Sequence, residues 1–186
     1  MTTVRWRHVR VPVLILLSLI TFLFGQLGSA LADDKRNDFG KKISGTYLAV
    51  QVNGAQILQI HNDGNLSFIF SEQFGSGALN DPFSNTLGSW RKTGKREITS
   101  KALDLTFESL TGTFVGVASA TYVITFDKKF QNARVMCEGQ IFPPGVDPFD
   151  PEAIPIPDSG FNCSDNEGLD FHRVLRYGET QKSNDD

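Results

Sequence analysis

Two tight turns near the start of the chain do most to limit the folds open to it. Asn53-Gly54 and Asp63-Gly64 each separate short runs of strand-forming residues, and they lie about ten residues apart. The central positions of such two-residue hairpin turns need positive φ, which Asn, Asp and Gly tolerate best. The pattern therefore predicts a meander of three antiparallel strands over residues 45–52, 55–61 and 65–72.

The rest of the chain predicts about five more strands, over residues 87–92, 96–108, 114–127, 130–142 and 169–176. In one of them Leu103, Leu105 and Phe107 alternate with Asp104, Thr106 and Glu108; in the next, Tyr122, Ile124 and Phe126 alternate with Thr121, Val123 and Thr125. No amphipathic helix is evident, and short turns favour up-and-down order. We predict an all-β fold, an antiparallel up-and-down barrel of about eight strands. A β-sandwich with the same number of strands is the alternative.

The first 32 residues have the pattern of a signal peptide. Arg5, Arg7 and Arg10 precede an apolar run over residues 11–24, and Ala30-Leu31-Ala32 offers a small-x-small cleavage site. The run is shorter than the roughly 20 residues of a spanning helix. We expect cleavage after Ala32 and a secreted or periplasmic protein without a stable membrane anchor; an uncleaved signal anchor is the alternative. Residues 33–42 are expected to be flexible, 43–177 to form the barrel and 178–186 to be a disordered tail.

Charge and cysteine content limit the partners. Of 18 basic residues, three belong to the signal peptide, so 15 basic and 21 acidic residues leave the mature chain at −6. This balance argues against binding to nucleic acid or to anionic membrane surfaces.

The two cysteines, Cys137 and Cys163, predict a disulfide in an oxidising compartment. It would attach the loop over residues 143–168, which holds six prolines, to the strand that contains Cys137. Two separate buried thiols are the alternative.

Two short motifs carry a resemblance to a known family. Gly45-Thr46-Tyr47 opens the first strand, and Gly88-Ser89-Trp90 is followed by Arg91-Lys92-Thr93-Gly94. Over residues 43–177 this layout resembles the lipocalin-like barrels of the calycin superfamily, in particular small exported bacterial members. In lipocalins a Gly-x-Trp at the start of the first strand packs against an Arg of the last strand. The resemblance implies barrel closure by Tyr47 in the place of that Trp, with Arg173 or Arg176 as its partner.

Residues for catalysis or metal binding are sparse. The mature chain keeps two histidines, His61 and His172, and has no Gly-x-Ser-x-Gly elbow. The acids of the Pro-rich loop fit a solvated loop better than a Ca²⁺ site. We predict a protein that is not an enzyme, with no catalytic residues, no cofactor and no metal.

Aromatic and apolar side chains are the main indication of a function. Eight-stranded barrels either fill with side chains or hold one small ligand. The predicted ligand-binding residues are Phe68, Phe70, Trp90, Leu105, Phe107 and Tyr122 inside the barrel, with Phe74 and Phe83 in a mobile lid over residues 74–86. They predict binding of a small apolar ligand, neutral or anionic. The alternative is a structural or protein-interaction domain with a filled barrel, whose Pro-rich, disulfide-clipped loop contacts a protein partner. An enzyme on the same barrel would need an inward-facing His beside a carboxylate.

Overall fold

The computed structural model describes residues 38–75, 81–162 and 167–174. The predicted signal peptide, the predicted tail, Cys163 and Arg176 lie outside them. The chain divides into two compact units, Met1–Asp38 and Phe39–Asp186. Only Asp38 of the first unit is described, and the second unit contains the barrel. In the described part of the chain, no helix combines the length and the apolar character that crossing a membrane requires.

The described residues form nine strands, one short helix over residues 38–43 and one short 3₁₀-helix. The strands are β1 Gly45–Gln51, β2 Gly54–Ile60, β3 Asn65–Phe70, β4 Thr86–Gly94, β5 Glu97–Phe107, β6 Phe114–Phe126, β7 Asn132–Phe142, β8 Phe161–Asn162 and β9 Leu169–Arg173, and the 3₁₀-helix is Ser71–Phe74. Eight of the strands correspond to the predicted ones. The two-residue strand β8 was not predicted, because a pair of residues in a Pro-rich loop has no detectable alternation.

The sheet closes on itself. Strands β1 to β7 pair in sequence order, and β9 then lies between β7 and β1. Ala133 of β7 is opposite Phe171 of β9, and Arg173 of β9 is opposite Tyr47 of β1. The result is a closed eight-stranded antiparallel barrel with up-and-down order, so the predicted fold class is confirmed. Beyond the end of β9, the short β8 pairs with Glu138 and Gly139 of β7.

Strand β6 has the predicted orientation. Tyr122, Ile124 and Phe126 are buried inside the barrel. Their neighbours Val123 and Thr125 are more accessible, as alternation requires.

Strand β5 has the opposite orientation to the predicted one. Ile98 and Ala102 are buried inside the barrel, opposite Ile124 and Ala120 of β6. Because strand side chains alternate, this register directs Asp104 and the buried Thr106 inward as well. Leu103, Leu105 and Phe107 consequently belong to the outer face, where Leu105 is 44% exposed. The apolar run suggested the reverse, but the long pairing with β6 decides which face is buried.

Residues 38–43 form a short helix, so the described part of the segment that was expected to be flexible is helical, whereas its residues 33–37 lie outside the described residues. Phe39 and Ile43 of this helix are buried, and Phe39 makes edge-to-face contacts with Trp90 and Phe130 at centroid distances of 6.4 and 5.9 Å. The ammonium of Lys92 lies 4.4 Å from the centre of the Phe39 ring. A helix this short has too few turns for a periodic sequence signal, and its stability comes from packing on the barrel. We call this end of the barrel the closed end.

Tyr47 and Arg173 meet at the closed end. The Arg173 guanidinium lies 5.8 Å from the Tyr47 ring centre and donates hydrogen bonds to the carbonyls of Lys42, at 3.1 Å, and Ser44. The Tyr47 hydroxyl donates to the Ile43 carbonyl at 2.9 Å, and burial raises the pKa of Tyr47 to about 12. The structure thus brings together the pair that the lipocalin resemblance implied, with Arg173 as the arginine.

Candidate functional site

The other end of the barrel, which we call the open end, contains a cavity of about 490 Å³. Along β6 the direction is clear: Ala118 and Tyr122 line the cavity, whereas Phe126 lies further on, against Tyr47 of the closed end. Pockets for small molecules typically have volumes of roughly 300–1,000 Å³. The cavity is therefore large enough for one small ligand.

Aromatic side chains form most of the apolar wall. The apolar and aromatic lining residues are Phe70, Phe83, Ala118, Tyr122, Ile141 and Phe161. Phe70 and Phe83 contact each other edge to face at 5.5 Å between ring centres. Tyr122 stacks on the fully buried Phe68 at 4.4 Å, so Phe68 supports the wall from below. These rings provide flat apolar surfaces for a ligand to contact.

Phe161 reaches the cavity because of a glycine. In β8 it pairs with Gly139 of β7. A Cβ atom on Gly139 would lie only 2.4 Å from Cζ of Phe161, so no larger residue leaves this ring in place. The Pro-rich loop thus contributes one wall residue through its last, two-residue strand.

A carboxylate lies among these rings. Asp104 points inward from β5, and its Oδ2 accepts a hydrogen bond of 3.1 Å from Oγ1 of the fully buried Thr86. Burial raises the pKa of Asp104 to about 6, although the Thr86 hydrogen bond acts in the opposite direction. Burial also raises the pKa of Tyr122, and the neighbouring charge of Asp104 adds to that shift.

The remaining charge of the cavity is also negative. Glu72 of the 3₁₀-helix and Asp81 line it together with Asp104. Oδ1 of Asp81 accepts hydrogen bonds from the backbone N–H and the hydroxyl of Ser109, at 3.2 and 2.8 Å. Among the described residues, the lining includes no Lys, Arg or His. The site therefore combines aromatic walls with three carboxyl groups.

Three of the eight predicted ligand-binding residues, Phe70, Phe83 and Tyr122, line the cavity, and Phe68 lies directly behind it. Leu105 and Phe107 do not, because the register of β5 places them on the outer face; there Phe107 contacts Phe114 at 6.0 Å between ring centres.

Trp90 and Phe74 also lie away from the cavity. Trp90 belongs to the closed end, where its Nε1 donates to the His61 carbonyl at 3.0 Å and its ring contacts Phe39. Trp90 was expected at the cavity opening because it follows the predicted lid over residues 74–86 closely in sequence. It lies in the middle of β4, however, and β4 runs from the open end toward the closed end. Phe74 is 82% exposed and is absent from the lining.

The expected mobile lid is only partly described, since residues 76–80 lie outside the described residues. Residues 81–85 run along the end of β5. The Phe83 N–H donates to the Gln73 carbonyl at 2.8 Å, Phe83 forms a β-bridge with Thr106, and the Phe107 N–H donates to the Pro82 carbonyl at 2.8 Å. This part of the loop is a hydrogen-bonded wall of the cavity.

The sequence reasoning missed Asp104, Thr86 and Phe161. A usable signal existed for Asp104, because the spacing from Ile98 and Ala102 places it in the same alternating series. For Phe161 there was none, since its position depends on a strand of two residues.

The two histidines of the predicted mature chain lie away from the cavity. Both side chains are exposed, and Nδ1 of His172 lies 2.7 Å from Oδ1 of Asn132. Searching the described residues alone, we find no group of three or more His, Cys, Asp or Glu side chains arranged to hold a metal ion.

Cys137 occupies an inward-facing position of β7. It is buried and is not a free thiol. Its predicted partner, Cys163, lies outside the described residues, so the Cys137–Cys163 pairing stays a prediction. Cys163 directly follows Asn162, which pairs with Glu138 of β7.

Comparison of the chain with protein-family models, with curated proteins and with solved structures finds no match in any of the three. The closed eight-stranded antiparallel barrel is compatible with a lipocalin-like fold. Membership of the calycin superfamily is therefore part of the proposal below.

Proposed function

We propose that the protein is an exported, lipocalin-like carrier or receptor of a small molecule, which it binds in the open-end cavity without chemical conversion. The observation that supports this most strongly is the cavity of about 490 Å³ inside a barrel whose opposite end is packed. Export is inferred from the signal-peptide pattern of residues 1–32. Assignment to the calycin superfamily rests on the barrel topology and on the contact between Tyr47 and Arg173.

Apolar contact supplies the affinity in this proposal. A ligand between Phe70, Phe83 and Phe161 would remove aromatic surface from water on both partners, at roughly 25 cal/mol per Å². The wall is already in place, because residues 81–85 are hydrogen-bonded to β5 and Phe161 is paired with β7. A site formed before binding loses less conformational entropy when a ligand enters.

The test is a fluorescence titration of the processed protein with N-phenyl-1-naphthylamine, an uncharged probe whose emission rises in apolar surroundings. We expect saturable binding of one probe per chain. Phe83→Ala should weaken it by at least about tenfold, because that change removes one aromatic wall.

Leu105→Ala is the matched control. Leu105 lies in β5, next to the segment that contains Phe83, but its side chain is on the outer face of the barrel and does not line the cavity. Its affinity for the probe should equal that of the wild type. Absence of saturable binding, or equal weakening by Leu105→Ala and Phe83→Ala, would contradict the proposed function.

A second candidate function is protein interaction through the Pro-rich loop. The loop exposes two large apolar side chains, Phe149 at 58% and Ile154 at 76%. It is held against β7 by the Ile156 N–H, which donates to the Ile141 carbonyl at 2.8 Å. If the loop is a contact surface, a photo-crosslinking residue at position 154 should give an adduct of one defined mass in the host envelope. The same residue at position 110, where Leu110 is also exposed, should not.

A further inference from the structure

The lining of the cavity indicates the charge of its ligand. We infer that the site takes a small molecule with a protonated amine, whose cationic group pairs with Asp104 while its apolar body lies against Phe70, Phe83 and Phe161. This inference rests on the proposed function and makes it more specific. It also replaces the sequence-based expectation of a neutral or anionic ligand.

The first argument is the charge of the whole lining. Asp104, Glu72 and Asp81 contribute three carboxyl groups, and no described lining residue contributes a cation. An anionic ligand would bring a like charge into a partly closed space, where charges interact more strongly than in water. A cationic ligand would instead be attracted by every charged group of the wall.

The second argument is the position of Asp104. It lies on an inward-facing strand position, between the hydroxyl of Thr86 on β4 and the ring of Tyr122 on β6. Within the described residues it takes part in no ion pair. Buried carboxylates are normally paired with a cation. Its raised pKa has the same physical cause, namely burial without a neighbouring positive charge. A ligand ammonium would supply the missing partner.

The third argument is the aromatic wall around this carboxyl group. Ammonium groups are attracted to the faces of aromatic rings within about 6 Å. Tyr122, Phe70 and Phe83 line the same cavity as Asp104. A cavity that combines a carboxylate with these rings is a suitable environment for an amine on a flat or short apolar body.

The experiment compares three probes that share one apolar body. These are 1-naphthylmethylamine, 1-naphthylmethanol and 1-naphthoate, titrated into the processed protein by isothermal calorimetry at pH 7.5. We expect the amine to bind at least about tenfold more tightly than the alcohol, and the carboxylate most weakly.

Two variants locate the selectivity. Asp104→Asn should reduce the ratio of the affinities for the amine and the alcohol to about one, which is the loss of the charge selectivity. Glu138→Gln, the control, removes one negative charge from an exposed position of β7 that is not part of the lining, and should preserve the selectivity. Circular dichroism verifies that each variant is folded.

A pH series on the wild-type protein tests the same point without a substitution. The affinity ratio of amine to alcohol should fall as the pH is lowered from 7.5 to 5, because Asp104 becomes protonated. Glu72 and Asp81 share the cavity, and Tyr122 faces Asp104 from β6, so these groups also contribute to the field at the ligand. The comparison with Asp104→Asn isolates the contribution of Asp104.

The outcomes separate the two proposals. If the alcohol or the carboxylate binds as tightly as the amine, or if Asp104→Asn keeps the selectivity, the inference about charge is wrong and the ligand-binding function stands. If none of the three probes and no N-phenyl-1-naphthylamine binds, both proposals are wrong.

Discussion

At the scale of single residues, Asp104 is the least expected feature of the barrel. It lines the same cavity as several aromatic rings and accepts a hydrogen bond from Thr86, but it forms no ion pair with any described residue. Ionising a carboxyl group in such a place costs free energy. A group that lowers the stability of the free protein at neutral pH is a candidate for function.

Asp104→Asn should therefore stabilise the protein at pH 7.5. The pKa of Asp104 is about 6 in the folded protein, against an ordinary value of 3.8, so the folded state binds more protons between these values. The contribution of Asp104 to the free energy of unfolding should fall as the pH rises through this window, by up to about 3 kcal/mol. The variant should lack this fall, as urea unfolding at pH 3.5 and 7.5 would measure.

The two proteins should differ little at pH 3.5, where the carboxyl group is neutral. Glu138→Gln, on the exposed face of β7, should follow the wild type at both values. A variant less stable than the wild type at pH 7.5 would mean that the ionised carboxylate has a stabilising partner.

Arg173, at the closed end, is expected to stabilise the folded protein, whereas the ionised carboxyl group of Asp104 is expected to destabilise it. Its guanidinium donates to two backbone carbonyls, those of Lys42 and Ser44, and lies over Tyr47. Gly45 permits this approach: its φ is +152°, and a Cβ there would lie 3.0 Å from Nε of Arg173. The contact joins the last strand to the helix that closes the barrel.

We expect Arg173→Leu to lower the free energy of unfolding by about 2 kcal/mol, because two charge-assisted hydrogen bonds are lost. Arg134 is the comparison. It forms a two-point ion pair with Asp170 on the exposed face of β7 and β9, at 2.9 Å for each bond. Arg134→Leu should cost much less stability than Arg173→Leu, since water screens exposed pairs. Equal losses in urea unfolding would show that Arg173 acts as an ordinary surface residue.

At the scale of elements, the short strand β8 connects the Pro-rich loop to the site. Phe161 and Asn162 pair with β7, and Phe161 occupies the space that Gly139 leaves. Two residues of pairing are a weak attachment. A disulfide between Cys137, which lies in the same part of β7, and the residue after Asn162 would hold this wall in place.

We predict that Cys137 and Cys163 are bridged in the exported protein. The bridge would enclose a loop of 25 intervening residues and stabilise the fold by about 3 kcal/mol. Non-reducing peptide mapping of freshly secreted protein should recover the two cysteine peptides as one linked species. Two thiols that react with an alkylating agent before reduction would disprove the bridge.

At the scale of the whole molecule, the two ends of the barrel differ in packing. At the closed end, Phe39 of the helix over residues 38–43 contacts Trp90 and Phe130, and Phe130 contacts Phe126. The open end contains the cavity. Substitutions at the two ends should therefore separate stability from binding.

Phe39→Ala and Phe83→Ala are the informative pair. Phe39→Ala removes a buried ring from the closed end and should lower the free energy of unfolding by about 3 kcal/mol. Its affinity for N-phenyl-1-naphthylamine should stay at the wild-type value under conditions in which it is folded. Phe83→Ala should lose affinity and have the smaller effect on stability, because Phe83 is only partly buried. Loss of affinity in both variants would mean that the ends are coupled.

Much of the barrel could be predicted because its determinants are local. Asn53-Gly54 and Asp63-Gly64 mark the turns after β1 and β2, although of these four residues only Gly64 has the expected positive φ, because Gly54 already pairs with Gln51 as the first residue of β2. The alternation around Tyr122 indicated the correct face of β6. The candidate site was harder to predict, because it depends on how each strand is placed against its neighbours. Phe70, Phe83 and Tyr122 were identified as aromatic residues near one end, but Trp90 was assigned to the wrong end.

The sequence by itself thus determined eight of the strands and their up-and-down order, since these follow from turn residues and alternation, whereas the contact of Tyr47 with an arginine was implied only by the resemblance to lipocalins. Only the tertiary structure decided what faces the cavity. Pairing of β5 with β6 turned Asp104 inward and Leu105 outward, and pairing of β8 with Gly139 brought in Phe161. The physical reason is that a shift of one residue in register exchanges the two faces of a strand. Contacts distant in sequence set that register, and with it the charge of the site.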